Sequence, residues 1–206
     1  GAKGTDMSVR YALEAAKYAT VPGLDPEVAR KLTILRTGIV LPAPTTAGAA
    51  TELNDIATRL NSQYGKGKGT LNGQPISGSD IEAEMGNLER TPAELSEMWA
   101  SWHSNVGAPM KDDYARMVAI ANEGAKELGF SDTGAMWRSN YDMSPEEFAD
   151  TTETLWQEVK PLYEALHTYV RWKLNEKHGD AIQPKTGPIR ADLLGNMWAQ
   201  EWGNIY

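Results

Sequence analysis

The sequence predicts an all-α protein, and three observations carry that prediction. Apolar residues recur three or four apart through nearly every stretch between breakers. Helix-start signals return along the chain at Asp25-Pro26-Glu27, Thr91-Pro92-Ala93-Glu94 and Ser144-Pro145-Glu146-Glu147. Strand and turn chemistry is confined to residues 65–79. The chain has 206 residues, 41% hydrophobic and 23% charged, enough for one large domain or two small ones.

Taken in order, Asp6 is a good N-cap for a first helix with Met7, Tyr11, Leu13–Ala15 and Tyr18 as its apolar positions, ended by Pro22-Gly23. Pro26, at a first helical position, opens a second helix carrying Val28, Leu32, Ile34 and Leu35. The stretch Leu41–Thr46 reads as a linker. A third helix runs from about Thr51 to Tyr64 with Leu53, Ile56, Ala57 and Leu60 on one stripe. Asn72-Gly73 then predicts a hairpin turn, because both turn positions need positive φ. Helix signals resume at Ser79-Asp80 and at the Thr91 capping box, whose helix carries Leu95, Met98, Trp99 and Trp102 and ends near Gly107. Another is expected from Met110 to Leu128. The longest runs from Ser144 to about Lys177 with a stripe of Phe148, Leu155, Val159, Leu162, Leu166, Tyr169 and Val170, and Pro161 inside it should kink it. A last helix is expected from Leu193 to Tyr206. There is no internal repeat and no clear domain boundary.

Composition excludes several functions. A net charge of −8 leaves no broad basic face, which argues against a nucleic-acid partner. The absence of cysteine removes disulfides, thiolate metal clusters and cysteine nucleophiles. No apolar run approaches the roughly 18 residues of a membrane span. The sequence opens on Gly1 with neither a Met nor a signal peptide, so the chain is expected to begin inside a longer product.

Metal chemistry has little to work with. The three histidines are His103, His167 and His178, none spaced as His-x-x-x-His, so no metal ligands are expected. Glu164 and His167 stand at i and i+3, the spacing of di-iron bundles, but such bundles need two of these motifs plus further glutamates. A metal-binding bundle therefore remains a weak reading beside a plain polar contact. The glycines of residues 65–69 invite a phosphate-loop reading, but the nearest formal match, Gly73 to Gly78 followed by Ser79, lacks the lysine that would reach the phosphates, and no strand-then-helix context supports it. Trp99 with Trp102, and Trp198 with Trp202, each fall on one face of a helix; core packing is the default reading. From the residues alone, this is a helical domain with no catalytic residues of its own.

Three motifs go further. Asp132-Thr133-Gly134-Ala135-Met136-Trp137-Arg138-Ser139 is the first, and the stretch from Pro161-Leu162-Tyr163 through His167 to Arg171 is the second. The third is Gly187-Pro188-Ile189 followed by residues 193–206 with their Asn196-Met197-Trp198-Ala199-Gln200. In this order they closely resemble the N-terminal part of the angiotensin-converting enzyme family of zinc peptidyl-dipeptidases, over most of the chain and more loosely before residue 90. The lack of cysteine looks like a bacterial member rather than a disulfide-bonded animal one.

The resemblance implies an almost wholly helical fold cleft by a substrate channel, with residues 1–40 as lid-like helices and 41–206 as channel wall. It implies a hydrolase, a metallopeptidase with carboxypeptidase action that removes dipeptides from peptide C-termini, in a periplasmic or secreted setting. The family's zinc ligands lie downstream of the Trp198 motif, so the chain is expected to be a truncated, inactive part, with zinc and chloride as cofactors of the full-length enzyme and none bound here. Arg138 matches a family arginine that binds an activating chloride, and His178 stands where a tyrosine usually helps bind a second. Peptide substrate, the missing C-terminal part and a second copy of the chain are the expected partners. The alternative reading is a non-catalytic helical binding or scaffold protein that reuses this half of the fold.

Overall fold

The computed structural model describes residues 1–203 and 205. Its helices are α1 (Ala2–Ala16), α2 (Pro26–Thr37), α3 (Ala49–Lys66), α4 (Gly78–Met85), α5 (Pro92–Trp102), α6 (Ala108–Glu127), α7 (Thr133–Arg138) and α8 (Pro145–His178). An antiparallel hairpin, β1 (Lys68–Leu71) with β2 (Gln74–Ser77), interrupts them. The all-α expectation holds, hairpin included. No helix among the described residues is long and apolar enough to cross a membrane.

Two compact units divide the chain: residues 1–61 with 112–154, and residues 62–111 with 155–206. In the first unit, α1 packs on α2. The core there gathers Val9 and Ala12 of α1 with Ala125, Leu128 and Met136. α1 starts at Ala2 rather than at Asp6, which lies inside the helix and pairs with Arg10 at 3.0 Å. Its buried face is Val9, Ala12 and Ala15, while Met7, Tyr11 and Tyr18 of the expected stripe face outward. Small side chains let neighbouring elements approach closely, so the alanines take the contact and the bulky residues are left outside. α2 likewise leaves Val28, Ile34 and Leu35 exposed. α3 buries Leu53, Ile56 and Leu60 as its period predicts. Asp25 caps α2, its Oδ1 accepting from the Glu27 and Val28 amides at 2.9 and 3.4 Å.

The second unit has its own core, built on Ile81, Met85, Leu95, Met98, Trp102, Val106, Val170 and Leu174. Strand β1 lies against α5. Gly69 makes that approach possible, since a Cβ there would fall 2.8 Å from Ser101 Oγ of α5; at the start of α4, a Cβ at Gly78 would fall 2.6 Å from the Trp102 indole. The Asn72-Gly73 turn has both φ values positive, 52° and 72°, as the sequence predicts. Thr91 and Glu94 form a complete capping box at the start of α5. The expected break near Gly107 is a single π-helical turn, His103–Gly107, after which α6 begins at once.

Two further expectations fail. Residues 191–193 form one 3-10 turn, and the segment after it is a series of turns, not a helix. Tyr206, the end of that expected helix, lies outside the described residues. α8 forms over the expected span, but of its predicted stripe only Val170 is buried. Leu155, Val159 and Leu162 stay 53%, 52% and 73% exposed. The reason is cover: Val170 and Leu174 meet Leu193, Leu194 and Met197 in the core, and the upstream turns of α8 have no such neighbours among the described residues.

Candidate functional site

In the first unit the Arg138 motif is a short, tightly capped helix. Asp132 has an extended backbone, φ −165° and ψ 176°, and its Oδ1 accepts from the Ala135 amide at 2.7 Å. That amide holds the Asp132 carboxyl below its ordinary range, and the Ser131 hydroxyl and the Arg138 charge act the same way against the cost of burial. The Thr133 amide donates to Asn122 Oδ1 at 3.0 Å, and Ser139 Oγ donates to the Ala135 carbonyl at 2.8 Å. Met136 is fully buried and anchors the turn in the core. Trp137 lies half outside and donates through its indole nitrogen to the Val40 carbonyl at 2.7 Å.

Arg138 folds back over Gly134, where a Cβ would come within 3.3 Å of Nη1 and 3.1 Å of Asp132 Oδ1. Among the described residues, Arg138 Nε and Thr133 Oγ1 are buried without a hydrogen-bond partner. A buried donor left unmatched costs about 1–3 kcal/mol. The motif therefore holds an unused N–H donor on the Arg138 guanidinium, which is what an anion would take up, with the Asp132 carboxylate nearby opposing it.

His178, in the second unit, ends α8. Gly179 closes the helix with φ +78°, its amide donating to the Asn175 carbonyl at 2.7 Å. Burial pushes the His178 imidazole below its usual value, and the charges of Lys177 and Arg190 push the same way against Asp192. Arg190 and the buried Asp192 form a bidentate ion pair. A cavity of about 310 Å³ opens here, lined by His178, Lys177, Lys173 and Arg90 with apolar Met85, Leu95 and Leu193. Arg90 is paired with both Glu84 and Glu94, at 2.8 and 2.9 Å, and Lys173 with Glu176 at 2.9 Å.

The other sequence candidates are structural. His103 is exposed and stacks on Trp99 with ring centroids 4.0 Å apart. Its Nδ1 meets the Trp99 carbonyl at 2.7 Å, and a carbonyl can only accept, so Nδ1 carries the proton. Trp102 is buried and edge-on to Tyr64 at 5.5 Å. Glu164 pairs with Lys160 at 4.0 Å, while His167 lies among rings, 6.1 Å from Tyr163 and 6.2 Å from Trp202. Trp202 is half-buried against the core, and Trp198 is 46% exposed. They do not share a helical face, because no helix forms there.

Three buried polar residues to which the sequence assigned no structural role organise this region. Gln183 and Asn196 are fully buried, and Asn175 nearly so. Asn175 Nδ2 donates to the Gln183 carbonyl at 2.7 Å and to Asp180 at 2.6 Å. Asn196 Oδ1 accepts the amides of Trp198 at 3.0 Å and Gln200 at 3.3 Å. The Gly195-Asn196 pair was the available signal, since such dipeptides mark turns.

The described residues thus form a helical fold interrupted by one hairpin, in which the Asp132–Ser139 motif is a capped turn. The family profile described as angiotensin-converting enzyme, peptidase M2, matches residues 1–206. The chain belongs to the angiotensin-converting enzyme family. It is 43% identical over 158 residues to the angiotensin-converting enzyme of Mesocricetus auratus, covering 75% of this chain and 12% of the relative. It is 38% identical over 185 residues to that of Oryctolagus cuniculus, covering 88% and 14%. With the Theromyzon tessulatum enzyme it shares 46% over 127 residues, covering 62% and 20%. The chain thus spans between 12% and 20% of the length of these relatives.

Proposed function

We propose that the chain supplies lid and channel wall to a zinc peptidyl-dipeptidase that releases dipeptides from peptide C-termini, with residues 1–40 as lid and 41–206 as wall. The family match over all 206 residues carries this reading. The zinc does not fit the residues present. His103, His167 and His178 are engaged with separate neighbours, and the described residues hold no metal-ligand group. No catalytic step is therefore assigned to this chain, and the zinc belongs to other residues of the enzyme. The exposed stripe of α8 is where the remainder of that enzyme, or a second copy of the chain, would pack. The family resemblance suggests a periplasmic or secreted enzyme, and the lack of cysteine a bacterial type.

In that enzyme Arg138 holds an activating chloride. Its buried, unmatched Nε supports the assignment. His178 is not assigned a chloride, because an imidazole stands where the family usually has a tyrosine. Arg138→Gln should weaken the chloride activation of peptide cleavage, and an unchanged chloride dependence would remove Arg138 from the site.

The decisive experiment compares the 206-residue chain with one extended along its own reading frame. The shorter chain should hold no stoichiometric zinc and release no dipeptide. The longer one should do both, through a His-Glu-x-x-His helix. One equivalent of zinc with chelator-sensitive dipeptide release from the shorter chain overturns the proposal. A stop directly after Tyr206 favours instead a stand-alone helical binding protein.

A further inference from the structure

The tip of the hairpin joins two residues with a chemistry of their own. Asn72 and Gly73 are both exposed. Glycine after asparagine leaves the backbone nitrogen unhindered, which is the arrangement most open to its attack on the preceding side-chain amide. Here both reacting groups are held by α5. The Gly73 amide donates to Glu97 Oε1 at 2.9 Å, and the Asn72 amide to Glu97 Oε2 at 2.9 Å. The group that would leave, Asn72 Nδ2, donates to Glu94 Oε1 at 3.3 Å.

We propose that Asn72 is a self-modification site, converting to aspartate and isoaspartate through a succinimide, and that Glu97 sets the rate by holding the Gly73 N–H. In the first step the Gly73 nitrogen loses its proton and bonds to Asn72 Cγ. The Cγ–Nδ2 bond breaks, and the nitrogen leaves as ammonia, the proton count being closed by solvent. Water then opens the ring. Attack at Cγ restores the main chain and gives aspartate; attack at the main-chain carbonyl gives isoaspartate. No oxidant or reductant enters.

Glu97 slows the first step for an electrostatic reason. A carboxylate bonded to the N–H must face a second negative charge when that nitrogen is deprotonated. It is also too weak a base to take the proton, since the Gly73 amide foremost, with Thr70 and the Asn72 amide, holds its pKa low. The ladder pair Leu71↔Gln74 fixes the turn and keeps the nitrogen from swinging onto Cγ.

Modification has a direction. Aspartate would replace the Nδ2 donor with a third carboxylate beside Glu94 and Glu97. Isoaspartate would lengthen the two-residue turn by one backbone carbon and break its register. Either product loosens the hairpin from α5, and neither reverts.

The test follows peptide mass and isoaspartate content of the chain at neutral pH and physiological temperature, beside a synthetic peptide of residues 67–79. The folded chain should convert roughly ten- to a hundredfold more slowly than the peptide, the factor expected for a charge-assisted hydrogen bond. Glu97→Ala should recover most of that factor, with Glu97→Gln between the two. Ser101→Ala removes a different anchor, the acceptor of the Thr70 amide at 2.8 Å, and should change the rate little. A folded chain that converts as fast as the peptide overturns the proposal. So does a Glu97→Ala chain as slow as its parent, or a Ser101→Ala chain as fast as Glu97→Ala.

Discussion

Replacing Gln183 by leucine tests how the chain beyond α8 is held. Gln183 is fully buried. Its Nε2 donates to the carbonyls of Pro184 and Pro188 at 3.0 and 3.2 Å, and its Oε1 accepts the Arg190 amide at 2.9 Å. Leucine nearly conserves volume, so the change is polar rather than a cavity. Pro184 and Pro188 are exposed, so their carbonyls can turn to water, and each lost bond costs about its net value of ~1 kcal/mol. The Arg190 amide is less accessible, and leaving such a donor unmatched costs about 1–3 kcal/mol. The leucine gains little in a pocket lined by carbonyls. The expected net loss is roughly 3–5 kcal/mol, a large share of the about 5–15 kcal/mol that holds a typical protein folded. Urea unfolding should show a lower midpoint at unchanged slope, and hydrogen exchange at the Arg190 amide should accelerate. A loss below about 0.5 kcal/mol with Arg190 still protected would refute the reasoning. It would mean that the Asn175 bonds to Asp180 and to the Gln183 carbonyl hold the loop without this side chain.

Acid should loosen the second unit at the start of α5. Glu94 is pushed down to about 2, first by the Thr91 amide and then by the Thr91 hydroxyl, with Asn72 and Arg90 adding to them against burial. Its folded pKa lies below the ordinary 4.5, so its contribution is complete above 4.5 and is lost as pH falls towards 2. Circular dichroism on acid titration should show this loss in the parent, and Thr91→Ala, which removes the cap, should move it to higher pH. Gly78→Ala drives a Cβ into the Trp102 ring and should cost about 1–3 kcal/mol by overpacking, with a changed indole emission; an unchanged stability would mean that the ring moves aside freely. The chain should self-associate in light scattering, and Val159→Lys with Leu162→Lys should abolish it; association that survives both changes lies elsewhere than on α8.

Local chemistry made most of the framework legible. The Asp25 cap, the Thr91 box, the Asn72-Gly73 turn and both ends of α8 are set by contacts within a few residues, which a sequence displays directly. The Arg138 motif was legible as a pattern, but its unmatched Nε was not, since that depends on what surrounds the guanidinium. The C-terminal segment misled for a definite reason. Its aromatic spacing fits a helix, yet Asn196 captures two amides that a helix would use, and Gly195 and Ala199 take positive φ of 82° and 58°. A Cβ at Gly195 would run into the Glu201 carbonyl, so glycine there is required by the turn.

The error on α8 is of another kind. Periodicity reports which side chains share a face, not whether anything lies against it. Leu155, Val159, Leu162 and Leu166 do share one, and all four are at least two-fifths exposed. Full burial of each would contribute about 1.5–3 kcal/mol, so the exposed stripe forgoes several kcal/mol that its sequence is patterned to collect. Polar residues at these positions would fold the same helix at no such loss, because helix propensity differs little among unbranched side chains. A partner surface would account for the apolar choice, and the proposed larger enzyme offers one: the relatives matched are about three to six times longer than this chain. On the reading proposed above, the stripe serves the larger enzyme rather than the 206 residues themselves.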